Sequence, residues 1–191
     1  MVGNIPNYTK IDVLRCFLRL EKNIGRQDLA DELDLGEGTV RTILDVLKSK
    51  KLIDSTKKGH FLSRKGVEIL KNIFESVSLP KAVEVKNIYP EFRKVAINIR
   101  KAPALNGLYK LRDLAVKNGA DGAIILKFEN KLYAPESDVE RDFGELEKYF
   151  ELKNKDVLVV AFANNKKDAE NGAFAIAVEL NSELGKFVEG V

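Results

Sequence analysis

Apolar positions in the first part of the chain recur at helical spacing. In Thr9 to Glu21, Ile11, Leu14 and Leu18, with neighbouring Phe17, fall on one side, and Thr9 is an N-cap residue by type. "KNIG" breaks that rhythm. Arg26 to Leu33 resumes it as a short second helix with Leu29, Ala30 and Leu33 on one face, and "DLGEG" is a tight turn whose glycines suit positive φ. Glu37 to Lys50 is the third helix. Val40, Ile43, Leu44 and Leu47 make its stripe, and Gly38, Thr42, Asp45 and Ser49 lie opposite, flanked by Arg41. Two short strands, Leu52 to Asp54 and His60 to Ser63, enclose a lysine-bearing tip closed by glycine. A fourth helix, Arg64 to Val77, turns Val67, Leu70, Ile73 and Phe74 inward.

The pattern changes at "SLPKA", where Pro80 resists helix continuation. Alternating "AVEVKNIY" and "KVAINIR" follow as strands. Asn106 to Asn118 predicts a helix stopped by Gly119. "GAIILKF" and "DVLVVAFA" are near-continuous apolar runs, which predicts buried strands. "ENK" turns the first of them back into "LYAP", and "SDVERDFGELEKYF" predicts a helix. Lys166 to Glu183 is the last helix. The expected organisation is α+β: a helical domain over 1–78, then an α/β sandwich with a mixed sheet over 79–191.

Composition narrows the class. At 45% hydrophobic and 32% charged, the chain can bury a core and stay in solution. No apolar run reaches the roughly 18 to 20 residues that span a bilayer, and the amino end lacks the apolar centre of a signal peptide, so a cytoplasmic location is expected. A single cysteine, Cys16, excludes an internal disulfide and a multi-cysteine zinc site. The net charge of +3 is unevenly distributed. Residues 1–78 carry 14 Lys+Arg against 11 Asp+Glu, and residues 79–191 carry 18 of each. Glu37 to Lys71 alone holds 9 basic and 4 acidic residues, and local basicity of this kind attracts phosphate backbones.

Three helices, a two-stranded ribbon and a further helix form a winged helix-turn-helix. A helix seats in a major groove when its leading residues are small or able to hydrogen bond, and Gly38, Thr39, Arg41 and Thr42 meet that need. Lys57 and Lys58 occupy the wing tip, while Lys48 and Arg64 add positive field. "RQDLADELDLGEGTVRTILDVLKSKKLIDSTKKGHFLSRKG" resembles the winged-helix DNA-binding domains of prokaryotic transcriptional regulators. Over Leu29 to Ile53 it is similar to the amino-terminal domain of the central glycolytic gene regulators. "RDLAVKNGADGAIILKFENKLYAP" resembles the carboxy-terminal domain of a group of archaeal winged-helix regulators. These resemblances imply a two-domain regulator that binds double-stranded DNA, with a homodimer expected. Asp45 departs from the pattern, because a carboxylate near phosphates costs affinity.

For the second domain the expectation is an effector-sensing or dimerising role. Candidate groups for a small-molecule effector are Asn98 and Arg100 on one strand face, Arg112 and Asp113 on the next helix, and Asp121 at the head of an apolar strand. No catalytic set, cofactor or metal site is expected. His60 is alone, Cys16 lies on an apolar helix face, and "NGADGA" has neither phosphate-loop spacing. The acidic set Glu136, Asp138, Glu140, Asp142, Glu145 and Glu147 lacks EF-hand order and is expected to be a solvated face. The competing expectation is an enzyme of the small-molecule kinase type carrying a regulatory winged helix.

Overall fold

A computed structural model describes residues 7–135, 137 and 141–191. Its first helix, α1 (Lys10–Arg19), opens with a capping box: Thr9 Oγ1 accepts from the Asp12 N–H at 3.1 Å, and Asp12 Oδ2 accepts from the Thr9 N–H at 2.9 Å. Ile11, Val13, Leu14, Cys16, Phe17 and Leu18 are all buried. Asp12 and Arg15 are buried with them. Arg15 Nη1 meets Asp12 Oδ1 at 3.1 Å, and Arg15 Nη2 donates to the Leu33 carbonyl at 3.1 Å.

Leu33 ends α2 (Arg26–Leu33). The turn that follows differs from expectation in one respect: its left-handed residue is Asp34 (φ 54°), not a glycine. Aspartate tolerates that conformation, and the Asp34 N–H closes the helix end on the Ala30 and Asp31 carbonyls. Gly36 is extended (φ −66°, ψ 143°) and serves as N-cap of α3 (Glu37–Ser49), which buries Val40, Ile43, Leu44 and Leu47 as its spacing predicts.

The wing is the hairpin of β1 (Ile53–Thr56) and β2 (Gly59–Leu62), paired from Ile53↔Leu62 to Thr56↔Gly59. Gly59 has φ +133°, and an added Cβ there would stand 2.6 Å from the Ile24 carbonyl oxygen. Ile24 pairs with His60 through both backbone hydrogen bonds, an isolated bridge on the open edge of the two-stranded hairpin. Ser63 caps α4 (Arg64–Ser76): its Oγ accepts from the Gly66 N–H and donates to the Lys51 carbonyl. A Cβ on Gly66 would overlap the Leu52 carbonyl oxygen, a backbone atom that cannot rotate away. Gly66→Ala is therefore expected to destabilise the chain by about 1–3 kcal/mol, measured as a lowered urea midpoint with an unchanged slope.

Beyond α4 come β3 (Lys81–Ala82), β4 (Arg93–Ile99), α5 (Leu108–Lys117), β5 (Gly122–Glu129), β6 (Lys131–Tyr133), α6 (Gly144–Glu147), β7 (Val157–Ala163) and α7 (Lys166–Leu180). The sheet order is β3-β4-β7-β5-β6, and every neighbouring pair is antiparallel. The α+β class is as expected, but the sheet is not mixed. The β4-α5-β5 connection does return β5 in the direction of β4. However, β7 lies between the two strands and runs against both. Helices α5 and α7 cover one face. Gly172 of α7 permits the closest approach, since a Cβ there would stand 2.5 Å from the Ala120 Cβ. The other face carries Val83, Val85, Ile88, Ala96, Leu126, Leu132, Leu158 and Val160, joined by Phe143 and Leu146. "AVEVKNIY" thus alternates in burial as predicted, although only Lys81–Ala82 joins the ladder.

Two helical expectations change. The segment 137–150 contributes only the single turn Gly144–Glu147, with Glu136, Asp138, Val139 and Glu140 outside the described residues. The last expected helix divides at Asn181 (φ −129°, ψ 118°), whose Oδ1 accepts from the Glu183 and Leu184 N–H groups and starts α8 (Ser182–Gly190). The molecule divides into two compact units, residues 1–72 with 186–191 and residues 73–185. Phe187 packs on Phe17 at 4.6 Å between ring centroids, and Lys10 Nζ donates to the Val188 carbonyl at 2.9 Å. No helix among the described residues is long and apolar enough to cross a membrane.

Candidate nucleic-acid interface

The outer face of α3 is built by its own periodicity. At about 100° per residue, burying Val40, Ile43, Leu44 and Leu47 sends Arg41, Asp45 and Lys48 outward in one row and Gly38, Thr42 and Ser49 in the next. All six are exposed, whereas Thr39 is half-buried. A Cβ added at Gly38 would meet nothing within 4 Å, so the leading turn has open space before it. Thr42 Oγ1 donates back to the Gly38 carbonyl at 3.1 Å. That bond fixes the hydroxyl and leaves the oxygen as an acceptor.

Lys57 and Lys58 are exposed at the hairpin tip, with the Lys58 N–H held by Thr56 Oγ1 at 3.2 Å. Arg64 is exposed but begins α4 beyond the foot of the hairpin, apart from the two wing lysines. Two further residues, without local signals in the sequence, belong to this surface. Arg26 Nη2 meets Glu37 Oε2 at 3.1 Å and offsets the carboxylate in the leading turn of α3. His60 Nδ1 shares a 2.7 Å hydrogen bond with Ser55 Oγ across the wing. Partial burial holds the His60 imidazole below its ordinary pKa; Lys48 and Arg26 add to the effect and Asp45 opposes it. Those three charged groups are therefore electrostatic neighbours of the wing. Ion pairs at eleven-residue separation and cross-hairpin bonds have no periodic signature, so only the fold exposes them.

Elsewhere the expected sets come apart. Asn98 is buried and donates from Nδ2 to Asp156 Oδ2 at 3.1 Å; that carboxylate also accepts the Lys153 and Lys101 N–H groups. Arg100 donates to the Phe74 carbonyl at 2.6 Å. Asp121 binds the Asn164 N–H at 3.2 Å and lies beside Phe162, whereas Asn98 lies opposite Leu158. Four residues of strand, about 13 Å, separate them. Arg112 is half-buried and Asp113 exposed on α5. Asn98, Arg100, Arg112, Asp113 and Asp121 therefore do not form one effector site. Alternation along a strand gave the face but not the position along it.

Of the acidic set, Glu136, Asp138 and Glu140 fall outside the described residues. Asp142, Glu145 and Glu147 accept backbone N–H groups of Gly144, Lys86 and Leu132. Among the described residues no three His, Cys, Asp or Glu side chains gather to hold a metal. Cys16 is a core residue whose thiol is pushed up to about 12, first by burial.

Comparison with known proteins gives two family matches. Residues 9–68 match the PH0730-like, N-terminal domain, and residues 75–180 match a domain of unknown function (DUF4443). No curated protein matches the chain. Among solved structures it is similar to the hypothetical protein PH0730 from Pyrococcus horikoshii OT3, at 30% identity and a TM-score of 0.78. That likeness covers 95% of this chain and 100% of the other. An amino-terminal winged helix joined to that domain of unknown function, over nearly the full length of both chains, means that the protein belongs to the PH0730-like family of archaeal proteins.

Proposed function

We propose that this protein is a sequence-specific, DNA-binding transcriptional regulator of the cytoplasm. Helix α3 enters the major groove of double-stranded DNA, and wing residues 54–60 rest on the phosphate backbone. The observation that carries this is the outer face of α3: Gly38, Arg41, Thr42 and Lys48 are exposed around open space, with Lys57 and Lys58 exposed on the adjoining wing. The guanidinium supplies a paired donor for guanine or a phosphate clamp. The Thr42 methyl suits a thymine, and its fixed oxygen suits a donor on a base edge. The wing lysines neutralise phosphates whatever the sequence. The likeness of Leu29 to Ile53 to glycolytic gene regulators supports the same docking. A homodimer would present two such helices about 34 Å apart, one turn of the duplex. The second domain would then sense an effector or join the two copies.

Fluorescence anisotropy with fragments selected from the source genome tests the reading. Specific fragments are expected to bind at least about a thousandfold more tightly than random duplex. The logarithm of the affinity should fall linearly with the logarithm of salt, by about 0.9 per phosphate neutralised. Absence of binding to any duplex at low salt would overturn it.

A further inference from the structure

The second compact unit holds a basic pocket that no expectation from the sequence included. Antiparallel pairing of β4 with β7 sets Arg93 opposite Ala163 and Lys94 opposite Phe162, so the start of β4 meets the chain leading into α7. Lys166 opens that helix, and Lys86 follows the edge strand β3. The four cations, with Glu84 and Phe92, line a cavity of about 510 Å³. This falls in the usual size range of small-molecule sites, about 300–1,000 Å³.

Lys94 makes the pocket more than a patch of surface lysines. It is only 7% exposed, and its ammonium donates to the Phe92 carbonyl at 3.0 Å. An ammonium carries three N–H donors, and a buried cation without a bonded counter-charge is costly. Among the described residues Lys94 has no carboxylate in ion-pair contact; Glu84 and Glu91 act on it only through the field. Burial holds its pKa below the ordinary lysine value, with Glu91 and Glu84 opposing the shift. Beside it, Phe92, Phe162 and Tyr89 form an aromatic group, with Tyr89 stacked on Phe162 at 4.3 Å and Phe92 at 5.5 Å from the same ring. Of these three rings Phe92 lines the cavity, together with Ala82, Val83, Val85 and Pro90, so an apolar side adjoins the cationic one.

We infer that this pocket binds a small organic phosphate, its dianion held by Arg93, Lys94, Lys166 and Lys86 and its apolar body against Phe92. Four cations against Glu84 favour a doubly charged group over a single carboxylate. Occupancy is independent of DNA binding; only its meaning as an effector site rests on the regulatory reading above.

Isothermal titration of the full chain with phenyl phosphate, without DNA, tests the site. One-to-one binding is expected, with benzoate at least about tenfold weaker, since halving the charge removes more than 1.4 kcal/mol at a tenfold ratio. Arg93→Gln with Lys166→Gln changes exposed residues and should raise Kd about tenfold or more. The circular dichroism melt should stay as in the parent. Lys110→Gln with Lys117→Gln, on α5, should leave Kd unaltered. No heat at millimolar phenyl phosphate would overturn the assignment. So would equal binding of benzoate, or equal losses in the two double variants.

Discussion

Replacing Arg15 with alanine is expected to remove about 3–5 kcal/mol of stability, the largest single-residue effect in the amino-terminal unit. The guanidinium is 1% exposed, and it joins two residues that are themselves buried. It meets Asp12 Oδ1 within α1, and it donates to the Leu33 carbonyl at the end of α2, where the helix dipole favours a cation. Truncation leaves a buried carboxylate without its cation and a helix end without its donor. The exposed pair Arg26–Glu37 has the same 3.1 Å geometry but lies in water, so Arg26→Ala should cost less than about 1 kcal/mol. Arg15→Met with Asp12→Asn should recover part of the loss, because it removes both charges together. Far-UV circular dichroism in urea separates these cases, as the chain has no tryptophan to report on. Equal costs for Arg15→Ala and Arg26→Ala would mean that burial does not govern the Asp12–Arg15 pair.

That contrast also marks what a sequence can disclose. Local rules were legible. The apolar stripe gave α2 as Arg26–Leu33 and α3 as Glu37–Ser49 almost to the residue, and Thr9 proved to be a working cap. The exposed row Arg41, Asp45 and Lys48 follows from the same stripe by subtraction, so the candidate interface on α3 was legible too. Long-range facts were not. Nothing in "DVLVVAFA" says that it inserts between β4 and β5, and that insertion alone turns an expected mixed sheet antiparallel. The basic pocket depends on the same pairing, because Arg93 and Lys166 are far apart until β4 and β7 align. Asn181 is a different kind of omission. Its type and its place before serine are an N-cap signal, but the alanine-rich run around it reads as one continuous helix.

The proposed DNA interface on α3 and the wing divides into two parts with opposite expected signatures. Arg41→Ala should lower discrimination at one base pair by about 1–3 kcal/mol while leaving affinity for random duplex nearly unchanged, as removal of a base-edge hydrogen bond does. Lys57→Ala with Lys58→Ala should weaken all duplexes alike. It should also reduce the steepness of the salt dependence by about 1.8, or 0.9 for each phosphate no longer neutralised. Asp45→Asn supplies a third sign. Its carboxylate stands in the same outward row as Arg41 and Lys48, so neutralising it should tighten binding to random DNA and narrow the gap between specific and random sites. If the carboxylate instead accepts from a cytosine amine, affinity for the selected site falls on substitution while affinity for random duplex still rises. Anisotropy titrations at three salt concentrations, with selected and scrambled duplexes, read all of these differences. Affinity unaltered by both the Arg41 change and the lysine pair would place the DNA elsewhere on the protein. A salt slope that shifts with Arg41 and not with the lysines would exchange their roles, making the guanidinium a phosphate clamp and the wing the part that reads sequence.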